Sequence, residues 1–228
     1  NDLTFDRPKK STLHLPYGKE LLKRAIPLTA NKLSLTLMSA FESVLIPFML
    51  TIYYNNQELS LSMYGILTGM ALPFIMFLST LTNSLSVMLL PTVSEANASG
   101  NQHQLRYTIK KTVKLCLTLG FTVLIFFFFL GRQIGSFIFH NESAGDFLVI
   151  LSFLCPFLYL SGSGNSILNG LGFMKETFLY NLTAIIIRIL FILLMVPMIG
   201  IQGYLIGLLA AYLVLVLLQG YKIRRSIF

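Results

Sequence analysis

Val123-Leu124-Ile125-Phe126-Phe127-Phe128-Phe129-Leu130 decides what kind of protein this is. The run carries no polar side chain, so it lacks the apolar–polar alternation of a membrane β-barrel strand. It lies inside a longer apolar stretch, Val113 to Gly131, close to the roughly 20 residues that a spanning helix needs. Outward from it, further stretches qualify: Ile26 to Tyr54, Tyr64 to Leu90, Phe147 to Gly170, Phe178 to Ile199 and Ile201 to Tyr221. Composition agrees. Charged residues make up 11% of the 228-residue chain and hydrophobic ones 55%, against about 25% charged in soluble domains. The expected fold class is all-α, a polytopic transmembrane helix bundle of about six spans.

The net charge of +8 is distributed by loop. Arg7, Lys9, Lys10, Lys19, Lys23 and Arg24 precede the first span, and Arg106, Lys110, Lys111 and Lys114 follow the second. Lys175 follows the fourth, and Lys222, Arg224 and Arg225 end the chain. The alternate loops are nearly bare of Lys and Arg and carry Glu58, Glu142 and Asp146. This is the pattern of cytoplasmic loops that stay behind during insertion. It places both termini of the segment in the cytoplasm and assigns the basicity to topology and lipid contact rather than to nucleic acid.

The expected division is a cytoplasmic linker and amphipathic leader at 1–25, a six-helix transmembrane lobe at 26–222 and a basic cytoplasmic tail at 223–228. The leader places Leu21 and Leu22 against Lys19, Lys23 and Arg24 as an interfacial turn. The absence of an initial Met suggests a piece of a longer chain. Cys116 and Cys155 fall in different apolar spans and read as packing residues. His14, His103 and His140 are isolated, and no enzyme or metal motif appears. Neither catalysis nor a bound cofactor is expected.

A few polar residues interrupt the spans. Asn31, Lys32, Glu42 and Ser43 lie in the first. Lys32 is close enough to the interface to snorkel. Glu42 is deeper, and a carboxylate there faces a cavity or a partner. Ser79, Thr80, Asn83 and Ser86 in the second span recur at helical spacing and form one inward polar face. Pro156 and the run Ser161-Gly162-Ser163-Gly164-Asn165-Ser166 allow a kink or an unwound turn in the fourth, or close packing of a neighbour. Arg188 sits near the middle of the fifth span. A guanidinium stays charged, so it needs an anion: a substrate phosphate, or an ion pair with Glu42. Arg132 to His140 reads as a short interfacial segment, and Thr92 to Thr112 as the longest cytoplasmic loop.

Leu90-Pro91-Thr92-Val93-Ser94-Glu95-Ala96, followed by Gly100 and a basic stretch, resembles the L-P-x-x-S…G junction of one transporter family. That family is the polysaccharide-flippase branch of the multidrug/oligosaccharidyl-lipid/polysaccharide (MOP) exporter superfamily, which includes the stage V sporulation protein B group, the lipid II flippases and, more distantly, the MATE transporters. Gly162 to Gly172 with Lys175 and Asn181, and the hairpin Met195 to Gly203, fit the same pattern. The resemblance covers about residues 17 to 222. It implies the C-terminal lobe of a two-lobe transporter, with a missing N-terminal lobe of the same protein as partner. It also implies alternating-access movement of undecaprenyl-pyrophosphate-linked glycans, such as peptidoglycan precursors, across the bacterial plasma membrane. Arg188, Lys32, Asn31, Asn83 and Asn165 are then pathway residues, with Glu42 tuning Arg188 or coupling transport to H+ or Na+. A cation-coupled multidrug antiporter of the same superfamily and a non-transporting scaffold for envelope enzymes are the alternatives. Which lipid-linked glycan and which coupling ion are left open.

Overall fold

A computed structural model describes residues 16–227. Its elements are α1 (Pro16–Tyr54), α2 (Gln57–Ile66), a π-helical turn (Leu67–Ala71), α3 (Leu72–Ala98), α4 (Gln102–Phe137), α5 (Glu142–Ser152), α6 (Cys155–Gly170), α7 (Met174–Leu194), α8 (Val196–Ile199) and α9 (Ile201–Ile227). Among the described residues, five stretches are long and apolar enough to cross a bilayer, and the bent pair α5–α6 passes the same test when its two helices are taken as one span. The first fifteen residues, with the basic cluster Arg7, Lys9 and Lys10, lie outside the described residues, as do the side chains of the expected amphipathic turn. The expected boundaries after residues 25 and 222 both fall inside continuous helices.

Short polar signals end and restart the chain between helices. Asn56, Asn101 and Asn141 each cap a helix start, accepting from the backbone N–H of Leu59, Gln104 and Ala144 at 3.2, 3.0 and 3.1 Å. Because Asn101 restarts the helix at once, the connection expected from Thr92 to Thr112 shrinks to Ser99–Asn101, with helix on both sides. After α6 the chain reverses at Gly172, whose φ of +89° suits a residue without a Cβ. The Phe173 N–H then donates to Leu168 O at 2.8 Å, a bond that closes the last turn.

Two prolines set the irregularities. Pro73 cannot donate to the carbonyl four residues back. Immediately before it the ladder widens, and the Leu72 N–H reaches back to Leu67 O, so a π turn joins α2 to α3. The second crossing therefore starts at Gln57 rather than at Tyr64. Pro156 likewise removes a donor to Ser152, where α5 ends, and α6 leaves at 54° to α5. The break thus falls at Phe153–Leu154, ahead of the proline, and the glycines 162 and 164 sit inside regular helix. Arg132 to Phe137 is also regular α4, not a separate interfacial segment, because Gly131 and Gly135 let α5 pack directly on that stretch.

The main core joins α1, α4, α5, α6, α7 and α9 through Leu50, Phe127, Leu148, Tyr159, Ile192 and Tyr204. A second cluster at the basic end packs Val93, Leu105, Ile109, Ile167, Ile223 and Ile227. Cys116 and Cys155 are buried free thiols. Large apolar side chains such as Phe77, Phe129, Phe137, Leu194 and Met198 point outward. That is the surface expected of helices solvated by lipid, whose backbone groups are all satisfied internally.

Candidate functional site: an ion pair and an amide cluster behind α1

Among its described side chains, the α1 helix is buried along one seam: Met38, Glu42, Ile46 and Leu50 face the bundle. Their spacing is helical, so the sequence itself puts Glu42 on the inner face. α7 packs along this seam and presents Arg188. The Arg188 Nε donates to Glu42 Oε1 at 2.7 Å, and Nη2 donates to Glu42 Oε2. The planar fork of the guanidinium matches both carboxylate oxygens. The pair neutralises two charges that neither helix could bury alone, with Glu42 5% exposed.

One layer further in, three amides meet from three helices. Asn181 Nδ2 on α7 donates to Asn165 Oδ1 on α6 at 3.2 Å. Gln219 Nε2 on α9 donates to the same oxygen at 2.9 Å and to Ser161 O at 3.4 Å. Asn165, Asn181 and Arg188 border a cavity of about 110 Å³ that Tyr212 and Leu35 help to close. The α3, α4 and α6 helices are tied alongside: Ser163 Oγ lies 3.2 Å from Ser86 Oγ and 3.1 Å from Cys116 Sγ. In a medium without water, such bonds between helices hold their register.

Of the residues expected to line a pathway, the fold joins Arg188 to Glu42 and places Asn165 beside their cavity. Asn31 is half-buried on α1, and its Oδ1 is buried with no hydrogen-bond partner among the described residues. Lys32 and Asn83 are exposed and hold no place in this cluster, although the Asn83 Oδ1 lies over α6, 3.6 Å from where a Cβ on Gly162 would stand. The expected single polar face of Ser79, Thr80, Asn83 and Ser86 divides. Ser79, Thr82 and Ser86 turn inward, whereas Thr80, Asn83 and Ser84 are exposed. The inward row follows the i, i+3, i+7 line along which α6 packs, and the other residues stand one position off that line.

The outward side of α1 has two chemistries. Lys32, Thr36, Ser39 and Ser43 form an exposed polar stripe, while Leu33, Leu37, Phe41, Val44 and Phe48 form an exposed apolar one. Thr36 and Ser39 of this stripe, and Gln219, are candidate residues that sequence reasoning missed. Their signals were present: a polar residue every three to four positions from Lys32, and one amide in the apolar run of the last span.

Residues 33–194 match the MatE family. The chain belongs to the MatE family. Its members are membrane transporters rather than enzymes, and they need no cofactor. The chain is 21% identical to stage V sporulation protein B of Bacillus subtilis (strain 168) over 208 residues, 90% of this chain and 40% of that protein. It is 25% identical to sporulation protein YkvU of the same organism over 171 residues, 75% of this chain and 38% of that protein. The chain therefore spans about two fifths of the length of the curated relatives it matches. No solved structure matches it. The MatE assignment bears out the resemblance seen in the Leu90–Ala96 junction and the multi-pass membrane class read from the apolar stretches.

Proposed function

We propose that this MatE chain is one lobe of a two-lobe flippase that moves an undecaprenyl-pyrophosphate-linked glycan by alternating access. It lies in the bacterial plasma membrane with its basic end in the cytoplasm. The observation that carries the reading is the outward polar stripe Lys32, Thr36, Ser39 and Ser43 on α1, with Thr80, Asn83 and Ser84 outward on α3. Thr36, Ser43, Thr80 and Ser84 donate their hydroxyls to carbonyls of their own helices, whereas the Lys32, Ser39 and Asn83 side chains at this depth need water or protein opposite them. A second lobe across a wet cleft supplies both. Lys32 is a cation on that face, suited to a pyrophosphate. Asn83 offers a neutral donor for the headgroup or its sugars.

Arg188, Glu42, Asn31 and Asn165 stand behind this face as the polar interior that α1 closes over. An anionic headgroup competes with Glu42 for Arg188, so the pair couples substrate arrival to movement of α1 on α7. A cation-coupled drug antiporter would use a carboxylate free to take up the cation. Glu42 is already met by a guanidinium, which favours the anionic substrate.

Complementation tests this in a strain lacking its lipid-linked-glycan flippases, using the full-length parent gene and checking membrane expression. Lys32→Ala with Asn83→Ala should abolish rescue at normal expression, whereas Leu37→Ala on the apolar stripe should keep it. Arg188→Ala should also abolish rescue. The exchange Glu42→Arg with Arg188→Glu should restore expression without restoring transport. Full rescue by both Lys32→Ala/Asn83→Ala and Arg188→Ala would overturn the assignment.

A further inference from the structure

α6 has a second working face. Ser161 and Asn165 look toward the small polar cavity, whereas Leu160, Ser163, Gly164 and Ile167 floor a larger cleft between α4 and α9. That cleft holds about 860 Å³ and runs on into an apolar one of about 430 Å³. The two share Leu117, Phe121, Leu160 and Val216 as walls. Lys110, Lys114 and Arg224 stand along the first cleft, and among the described residues no acidic side chain lines either one. Pro156, Phe157 and Leu209 line the inner part, so polarity falls steadily from mouth to end.

We propose that this cleft binds an anionic phospholipid of the surrounding bilayer, its phosphate on Lys114 and Arg224 and one acyl chain along Leu117, Phe121 and Leu160. The charge of the mouth selects an anionic headgroup, and each basic residue near the membrane surface is worth about a fivefold gain in partitioning. The length selects a lipid rather than another helix. From Lys114 to Leu124, α4 rises about 15 Å. That is half of a hydrocarbon core about 30 Å thick, one leaflet deep. Phe153, which lines the inner part, packs edge-on against Phe128 at 5.9 Å. A further spanning helix would need a groove across both leaflets. The cleft lies on the other side of α6 from the proposed substrate face, so its occupant is a resident lipid rather than the transported one. Such a lipid fills the space between α4 and α9, steadying the α6 wall that carries Asn165 on its opposite side.

The test is native mass spectrometry of the full-length protein released from vesicles of phosphatidylglycerol and phosphatidylcholine in equal amounts. The protein should retain phosphatidylglycerol in preference. Lys114→Ala with Arg224→Ala should reduce that preference on the order of twentyfold. Val216→Phe, which narrows the chain-binding part without touching charge, should reduce retention of both lipids. Equal retention of both lipids by the unaltered protein would overturn the proposal. So would unchanged retention in both variants. A photocrosslinker at Leu117 should capture lipid, and its capture of another segment of the same protein would equally overturn the proposal.

Discussion

At the residue scale, the ion pair between Glu42 and Arg188 decides how α1 meets α7. Each charge is tolerated because the other is present. Breaking a buried pair from one side leaves an uncompensated charge and costs about 3–5 kcal/mol. Glu42→Gln alone should therefore lower the thermal unfolding midpoint of the detergent-purified full-length protein sharply, where Glu42→Gln combined with Arg188→Met should recover most of the loss. Equal midpoints for the two variants would show that the pair does not hold the helices together. By contrast, Arg132 and Asp146 form an exposed bridge at 2.9 Å. A bridge of that kind is worth at most about 1 kcal/mol, so Asp146→Asn should leave the midpoint nearly unchanged.

At the element scale, glycines decide how closely helices approach. A Cβ on Gly120 of α4 would lie 2.6 Å from the Pro156 Cα of α6. Backbone gives way less readily than side chain, so Gly120→Ala should cost about 1–3 kcal/mol. Gly65 of α2 is exposed, and a methyl group added there would meet nothing within 4 Å. Gly65→Ala should then gain up to about 1 kcal/mol from helix propensity. Midpoints measured side by side check both signs, and a loss at Gly65 equal to that at Gly120 would contradict this account of the packing. The kinks belong to this scale as well. Pro73 and Pro156 each interrupt one hydrogen-bond ladder, and both the π turn and the 54° bend sit immediately on their N-terminal side.

At the scale of the whole molecule, the lobe has a lipid-facing surface and a polar flank on α1 and α3. If that flank faces a wet cleft in the full-length protein, Ser39→Cys and Asn83→Cys should react with a water-soluble maleimide. Leu37→Cys and Phe129→Cys, on apolar exposed surface, should stay unlabelled. The natural Cys116 and Cys155 are buried and add little background. Equal labelling at all four introduced positions would mean that exposure of the polar stripe does not follow the chemistry of α1.

The sequence by itself determined that this is a helical membrane protein, where its apolar stretches lie and which residues pose a problem in lipid. Hydrocarbon runs, capping asparagines and prolines act locally, and their effects follow from spacing along one helix. Glu42 and Arg188 could be singled out for the same reason, since a charge inside an apolar run needs a partner wherever the chain goes. Only the tertiary structure decided which partner each one took. It set Asn181 and Gln219 on one oxygen of Asn165, left Asn83 exposed while burying Ser86, and opened the cleft between α4 and α9. These depend on how helices far apart in the chain cross and rotate against one another, and a rotation by one residue exchanges an inner face for an outer one.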